Sequence, residues 1–260
     1  MLVNETFQYR GITFSIIDVA KRTVRVGTGI DIGDVSNAVP SDYGPNLQIP
    51  NFVTYKDTVF SVTEVGIKAF FFCMNLRTIH IGFCIEIVRN RGFSQCRNVT
   101  TLTFDQNSRL RIIEESGFYD FYSLTSIIFT GDSLESIGLC AFCFAFVLKS
   151  ITIPPSVTNI SYSAFKGLDS FEKFQYCGST AITSDVFYRD NYNGHSTPSS
   201  IAVSVTSSYP ISKFASDTVQ VDDTLNCVFP KAATYNLICN SNNRMYILPD
   251  FSSFLAFIFM

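Results

Sequence analysis

Few residues of this chain have the type and spacing for chemistry. Cys140 and Cys143 form the one C-x-x-C, in the stretch LCAFCFAF. Such a pair serves as half of a four-ligand zinc site or as a redox couple opening a helix in a βαβ unit. The other half of a zinc site is missing, because no second C-x-x-C exists and the only histidines are His80 and His195. Neither histidine stands in a nucleophile motif of the Ser–His or Cys–His kind. Both are expected to be solvated surface side chains. Gly27-Thr28-Gly29 lacks the lysine of a phosphate loop and keeps only part of a dinucleotide fingerprint, so it reads as a turn. The N-x-S/T triplets at Asn4, Asn98 and Asn159 are about as many as chance gives at this Asn, Ser and Thr content.

Composition narrows the classes further. At 260 residues the chain has room for one or two domains with a sizeable core. With 47% apolar and 16% charged residues it is too apolar for disorder and too polar for a membrane bundle. A net charge of −3 gives no basic field that would steer it to nucleic acid. The opening MLVNETFQYRG has neither the basic nor the apolar stretch of a secretory signal. No run reaches the roughly 20 apolar residues that span a bilayer. FLAFIFM, Phe254 to Met260, is open to three readings: a packed strand, the start of a membrane segment, or the stub of a removed anchor. The first is favoured, since a short apolar run is more often core.

Phe occurs 26 times and Trp not at all, which suggests one structural slot filled repeatedly. Five small-residue–Phe pairs bear this out: Ala69-Phe70, Gly92-Phe93, Gly117-Phe118, Ala141-Phe142 and Ala164-Phe165. Their Phe residues are 23, 25, 24 and 23 positions apart. A period in the twenties marks a stacked solenoid. Aligned on the Phe, positions −8, −5, +3, +6, +9 and +11 are apolar in all five copies. The +6, +9 and +11 trio reads L-x-x-I-x-I, a strand with one buried face. The −8, −5 and 0 trio lines the returning side of each coil. The small residue before the Phe marks a tight turn. Stacked at about 4.8 Å per rung, five copies make a slab roughly 20–25 Å long.

With its junction Ile151-Thr152-Ile153-Pro154-Pro155-Ser156-Val157-Thr158-Asn159-Ile160, this pattern resembles the BspA-like leucine-rich repeat family. The resemblance covers at least Val62 to Tyr176. It implies a β-rich leucine-rich-repeat solenoid of short stacked strands, with β-hairpins capping its N-terminal end. NFVTYKDTVFSV resembles the hairpin that opens such arrays, with Lys56-Asp57 in the turn, and ITFSIIDVAKRTVRVG reads as a further hairpin. Between them SNAVPSDYGPN reads as a loop. Downstream, Phe187 and Ile182 keep their slots, but Val186 replaces the small residue and RDNYNGHSTPSS interrupts the coil before Ile201–Val205. This is a degenerate closing repeat. The expected organisation is an N-terminal hairpin region over 1–61, repeats over 62–206 and a tail over 207–260 in which no period survives.

Placed in the repeat, Cys140 falls at −2 and Cys143 at +1. They read as two coincidental substitutions leaving ordinary thiols, with no metal or redox role. Cys73 and Cys96 share the +3 column and read as small buried hydrophobes. Cys84, Cys177, Cys227 and Cys239 fit no usable spacing, and a solenoid of this size needs no disulfide staples. The redox compartment stays open.

The family resemblance implies a non-enzymatic, surface-associated antigen or adhesin that binds protein or another surface macromolecule, without cofactor. An intracellular scaffold is the alternative, and self-association is possible on either reading. Two faces are candidates for the partner. The strand face presents His80, Thr101, Thr103, Ile128, Thr152 and Lys173 at the outward +8 and +10 slots, mostly a Ser/Thr carpet. The turn after each Phe presents Phe71, Phe72, Met74, Tyr119, Tyr122, Phe144 and Phe146 at +1, +2 and +4. The fold does not demand rings there, and binding hot spots are rich in aromatics, so the turn ridge is preferred.

Overall fold

The computed structural model describes residues 1–29, 37–40, 42–190, 194–195, 197–199 and 201–229. The C-terminal FLAFIFM and Cys239 lie outside the described residues. Three hydrogen-bonded rows run along the coil, one for each part of the repeat.

The L-x-x-I-x-I segments form the first row. Asn46–Ile49, Thr78–Ile81, Thr101–Phe104 and Ser126–Ile127 pair in parallel as one sheet. Ser150–Ile153, Lys173–Tyr176, Ala202–Val205 and Asp217–Val221 continue in parallel as a second sheet, closed by an antiparallel Lys213–Phe214. Ile79 faces Leu102, and Leu102 faces Ile127, so the +9 column of the sequence is a true register. The parallel stack therefore runs on through Asp217–Val221, a segment without the Phe period. Upstream, Asn46–Ile49 adds a strand that the loop reading did not foresee.

The second row is the return side. Thr58–Val65, Ile87–Val88, Ile112–Ile113, Ser136–Ile137 and Asn159–Ile160 stack in parallel. Arg89 ties three of these rungs, its guanidinium 2.8 Å from both Glu64 and Glu114. The Glu64 carboxylate, and then Glu114, push its pKa further above its usual range. At one end of this sheet the N-terminal strands Thr6–Tyr9, Ile12–Asp18 and Thr23–Val26 form an antiparallel meander. Phe52–Tyr55 and Thr58–Val65 form the expected hairpin, with Lys56 and Asp57 both at positive φ (47° and 57°) in its two-residue turn.

The third row is the turn around each Phe. The backbone N–H of each repeat Phe donates to the carbonyl of the next rung's small residue, at 2.7–2.9 Å from Phe70→Gly92 to Phe165→Val186. The +2 residue does the same toward the next rung's +1 carbonyl, from Phe72→Ser94 to Phe144→Lys166. What bends this row is left-handed backbone. The −2 residues Lys68, Arg91, Ser116, Cys140 and Ser163 all have φ of 49–57°. The +2 residues Phe72, Gln95, Asp120, Phe144 and Gly167 have φ of 60–68°. Only Gly167 is the residue that adopts this region without steric cost.

The core follows the columns. Every residue of the seven apolar columns is buried except Cys73. The Phe rings stack at 5.0, 5.3, 5.3 and 5.5 Å between centroids, within 8° of parallel, from Phe70 through Phe93, Phe118 and Phe142 to Phe165. Rungs about 4.8 Å apart, each carrying the same side chain with its ring near parallel to the next, dictate that spacing. The small residue before each Phe is needed for packing. A Cβ on Gly117 would stand 2.9 Å from the Ile113 side chain. Where Val186 takes that slot, the Phe165–Phe187 pair opens to 6.3 Å and tilts by 40°.

Candidate interaction site

The structure sorts the expected turn ridge into two groups. Tyr119, Tyr122, Phe144 and Phe146 come together. Tyr119 meets Phe144 edge-on at 5.4 Å, Tyr122 lies 4.6 Å from Phe146, and Phe144 lies 5.9 Å from Phe146. Phe72 and Met74 line a separate recess of about 290 Å³ with Val39, Pro40 and Tyr43. Phe71 is half-buried on the same rung. The second rung separates the groups, because it carries Ser94, Gln95 and Arg97 in these slots.

The four-ring group lines a recess of about 430 Å³, together with Gln95, Arg97, Asp120 and His195. Asp120 is 3% exposed. Burial raises its pKa, against the opposing pull of the Arg97 guanidinium at 3.1 Å and the Tyr122 hydroxyl, which donates to it at 3.2 Å. Asp120 thereby holds the Arg97 guanidinium 4.9 Å over the Tyr122 ring. Outside the lining, Lys166 sits 6.0 Å over Phe144 and 2.7 Å from Asp190. The recess thus offers aromatic faces and edges, one anchored guanidinium and one imidazole.

His195 was missed as a site residue. It is stacked on Phe146 at 3.9 Å, with Nδ1 2.5 Å from Asp169, and so is no freely solvated side chain. The inserted loop brings it there through Thr197, which is 1% exposed. The Thr197 hydroxyl accepts from the Gly167 N–H at 2.8 Å, the donor left over where the turn ladder ends. Gly167 itself is required, since a Cβ there would run into the Phe144 ring. The only sequence signal was that this polar insertion delays the closing repeat.

His80 also departs from the solvated reading. Its Nε2 is 2.7 Å from Asp105 and its Nδ1 2.9 Å from the Thr103 hydroxyl. Asp105 accepts in addition from the Asn51 amide and the Phe83 N–H. The network pins the outer end of the first strands. Along the rest of the strand face Thr101, Thr103 and Lys173 are exposed, Ile128 is 71% exposed, and Thr152 donates to Gln175 at 3.0 Å.

The cysteines correct the expectation of ordinary thiols. Cys140 and Cys143 are joined in a disulfide, and so are Cys177 and Cys227; Cys84 is disulfide-bonded as well. The turn geometry accounts for the first pair. Left-handed backbone at Cys140 folds the chain so that its Cα lies 4.8 Å from that of Cys143, inside the usual disulfide range. Cys177–Cys227 ties the fifth rung to residues past the last parallel strand, across 50 positions that no spacing rule links. Among the described residues no three His, Cys, Asp or Glu side chains converge as a metal site requires.

Three parallel rows, a repeating apolar strand and a continuous buried column define a leucine-rich-repeat solenoid. Residues 63–193, half of the chain, match the model of the BspA type leucine rich repeat region in six copies, and the chain belongs to that family. It is similar in fold to a leucine rich repeat protein of T. pallidum, at 15% identity and TM-score 0.55 over 76% of this chain and 86% of the other. A leucine-rich repeat protein from Bacteroides ovatus is 24% identical, with TM-score 0.54, over 70% of this chain and 50% of that longer one. No curated protein matches the chain significantly.

Proposed function

We propose that this protein is a non-enzymatic binding module of the cell surface, an antigen or adhesin that takes a macromolecular partner on its turn face. The observation that carries this reading is the recess bounded by Tyr119, Tyr122, Phe144 and Phe146. The part-exposed rings of Tyr119, Tyr122 and Phe146, backed by the buried Phe144 and with an anchored Arg97 beside them, are the composition of a binding hot spot. The strand face supplies no such anchor. The disulfides support the surface over the intracellular scaffold, because disulfides persist in oxidising compartments. No helix among the described residues is long and apolar enough to cross a membrane.

The test compares two double variants of the soluble chain for binding to intact source cells and their neighbours. Tyr119→Ser with Phe146→Ser weakens binding at least about tenfold, the loss of one hot-spot side chain, while circular dichroism stays unchanged. Thr101→Glu with Thr152→Glu binds like the parent. If the strand-face pair abolishes binding and the turn-face pair does not, the reading is wrong. Sedimentation of the same variants separates a foreign partner from a second copy of the chain.

A further inference from the structure

Among the described cysteines only Cys73 and Cys96 are free. They occupy the same +3 slot on the first and second rungs. In-register residues on neighbouring rungs lie about 4.8 Å apart, inside the roughly 4.4–6.8 Å between Cα atoms that a disulfide accepts. The backbone bond from Phe72 N–H to the Ser94 carbonyl, at 2.9 Å, fixes the two rungs in register one residue from Cys73 and two from Cys96. Cys73 is also the one member of the seven apolar columns that is not buried. It lines the recess formed with Val39, Tyr43, Phe72 and Met74, whereas Cys96 is fully enclosed.

We propose that Cys73 and Cys96 are a redox-active dithiol. Cys73 is the attacking thiol, exposed to small disulfides through the recess, and Cys96 is the resolving thiol behind it. The Cys73 thiolate attacks one sulfur of a low-molecular-weight disulfide such as oxidised glutathione. One thiolate leaves and a mixed disulfide remains on Cys73. The Cys96 sulfur then attacks the Cys73 sulfur, its proton passing to the second departing thiolate. An inter-rung disulfide has formed, and one molecule of oxidised glutathione has become two of reduced glutathione.

The surroundings give the two thiols unequal tasks. The Cys96 thiol has one proton and two acceptors for it: the Phe70 carbonyl at 3.1 Å and the Cys73 sulfur. Donation to Cys73 lowers the Cys73 pKa, and burial raises that of Cys96. The thiolate therefore collects on the accessible sulfur, where attack is possible. The other described cysteines are already paired, so in an oxidising setting this is the described pair that can change state. Closing it would clamp the first two rungs at the turn row.

The experiment treats the purified full chain with excess oxidised glutathione and maps peptides without reduction. The expected result is a Cys73–Cys96 cross-link and an intact mass lower by two hydrogens. Cys96→Ala stops at a glutathione adduct on Cys73, and Cys73→Ala leaves Cys96 unmodified. Brief alkylation of the reduced pair labels Cys73 at least about tenfold faster than Cys96, as thiolate fraction and access require. Persistence of both thiols in the wild-type chain, or a first adduct on Cys96, overturns the proposal. The wild-type map decides even if a variant fails to fold.

Discussion

Along the strand row, slot decides exposure. None of the +8 and +10 residues, from Thr78 and His80 to Lys173 and Gln175, is buried, while the +9 and +11 residues all are. Along the turn row the same repeat gives no such rule. At +2, Phe72 is 53% exposed, yet Asp120 and Phe144 are 3% and 6% exposed. At +1, Ser94 and Cys143 are buried and Tyr119 is half-exposed. A strand alternates strictly, so each side chain points to one face. Left-handed residues at −2 and +2 break that alternation, and the neighbours then decide which side chain is covered. Variable exposure on a regular scaffold is what lets one rung form a pocket wall and another remain bare.

The largest expected effect lies in the core column common to both rows. Phe118→Ala, in the middle of the parallel ring stack, should cost about 3–5 kcal/mol. Phe187→Ala, at the tilted end, should cost less. Equal losses in urea unfolding would mean that the regular stack adds nothing over the irregular end. Next come the two +2 rings. Phe144→Ser should cost about 3 kcal/mol, as a buried ring does, and Phe72→Ser should stay within about 0.5 kcal/mol. Matching midpoints for these two variants would break the claim that neighbours, not slot, set burial on the turn row. Ala141→Leu should cost about 1–3 kcal/mol by overpacking, and melting indistinguishable from the parent would refute the packed turn.

Much of this was legible in the residues. The seven columns predicted the strand registers and the buried Phe stack, because side-chain burial repeats with the coil. Val186 marked the closing repeat as degenerate, and Lys56-Asp57 was placed correctly in its turn. The left-handed slots were not legible, since Lys68, Arg91, Phe72 and Gln95 are not residues that signal positive φ. The same gap hid the Cys140–Cys143 disulfide, which depends on the left-handed bend at Cys140. Asp217–Val221 and Asn46–Ile49 were unreadable as rungs because neither follows the Phe period. The split of the ridge was already written in Ser94, Gln95 and Arg97 of the second rung, whereas the stacking of His195 on Phe146 is a tertiary contact that no spacing announces.

The smallest effect tests the backbone itself. Arg91 is exposed at φ 55°, a region that costs a non-glycine residue roughly 1–2 kcal/mol. Glycine removes that strain but gives back roughly 0.5–1 kcal/mol in unfolded-chain entropy. Its backbone N–H still donates to the Glu115 carbonyl at 3.0 Å, so no hydrogen bond is lost. Arg91→Gly should therefore raise stability by about 0.5 kcal/mol. Thr101→Gly, exposed on the strand row in extended backbone, has no strain to relieve and should lose roughly 0.5–1 kcal/mol. The two substitutions remove exposed side chains of one molecule and should move the urea midpoint in opposite directions. If Arg91→Gly lowers it as far as Thr101→Gly does, the left-handed slots carry no strain, and the two rows differ in shape but not in backbone energy.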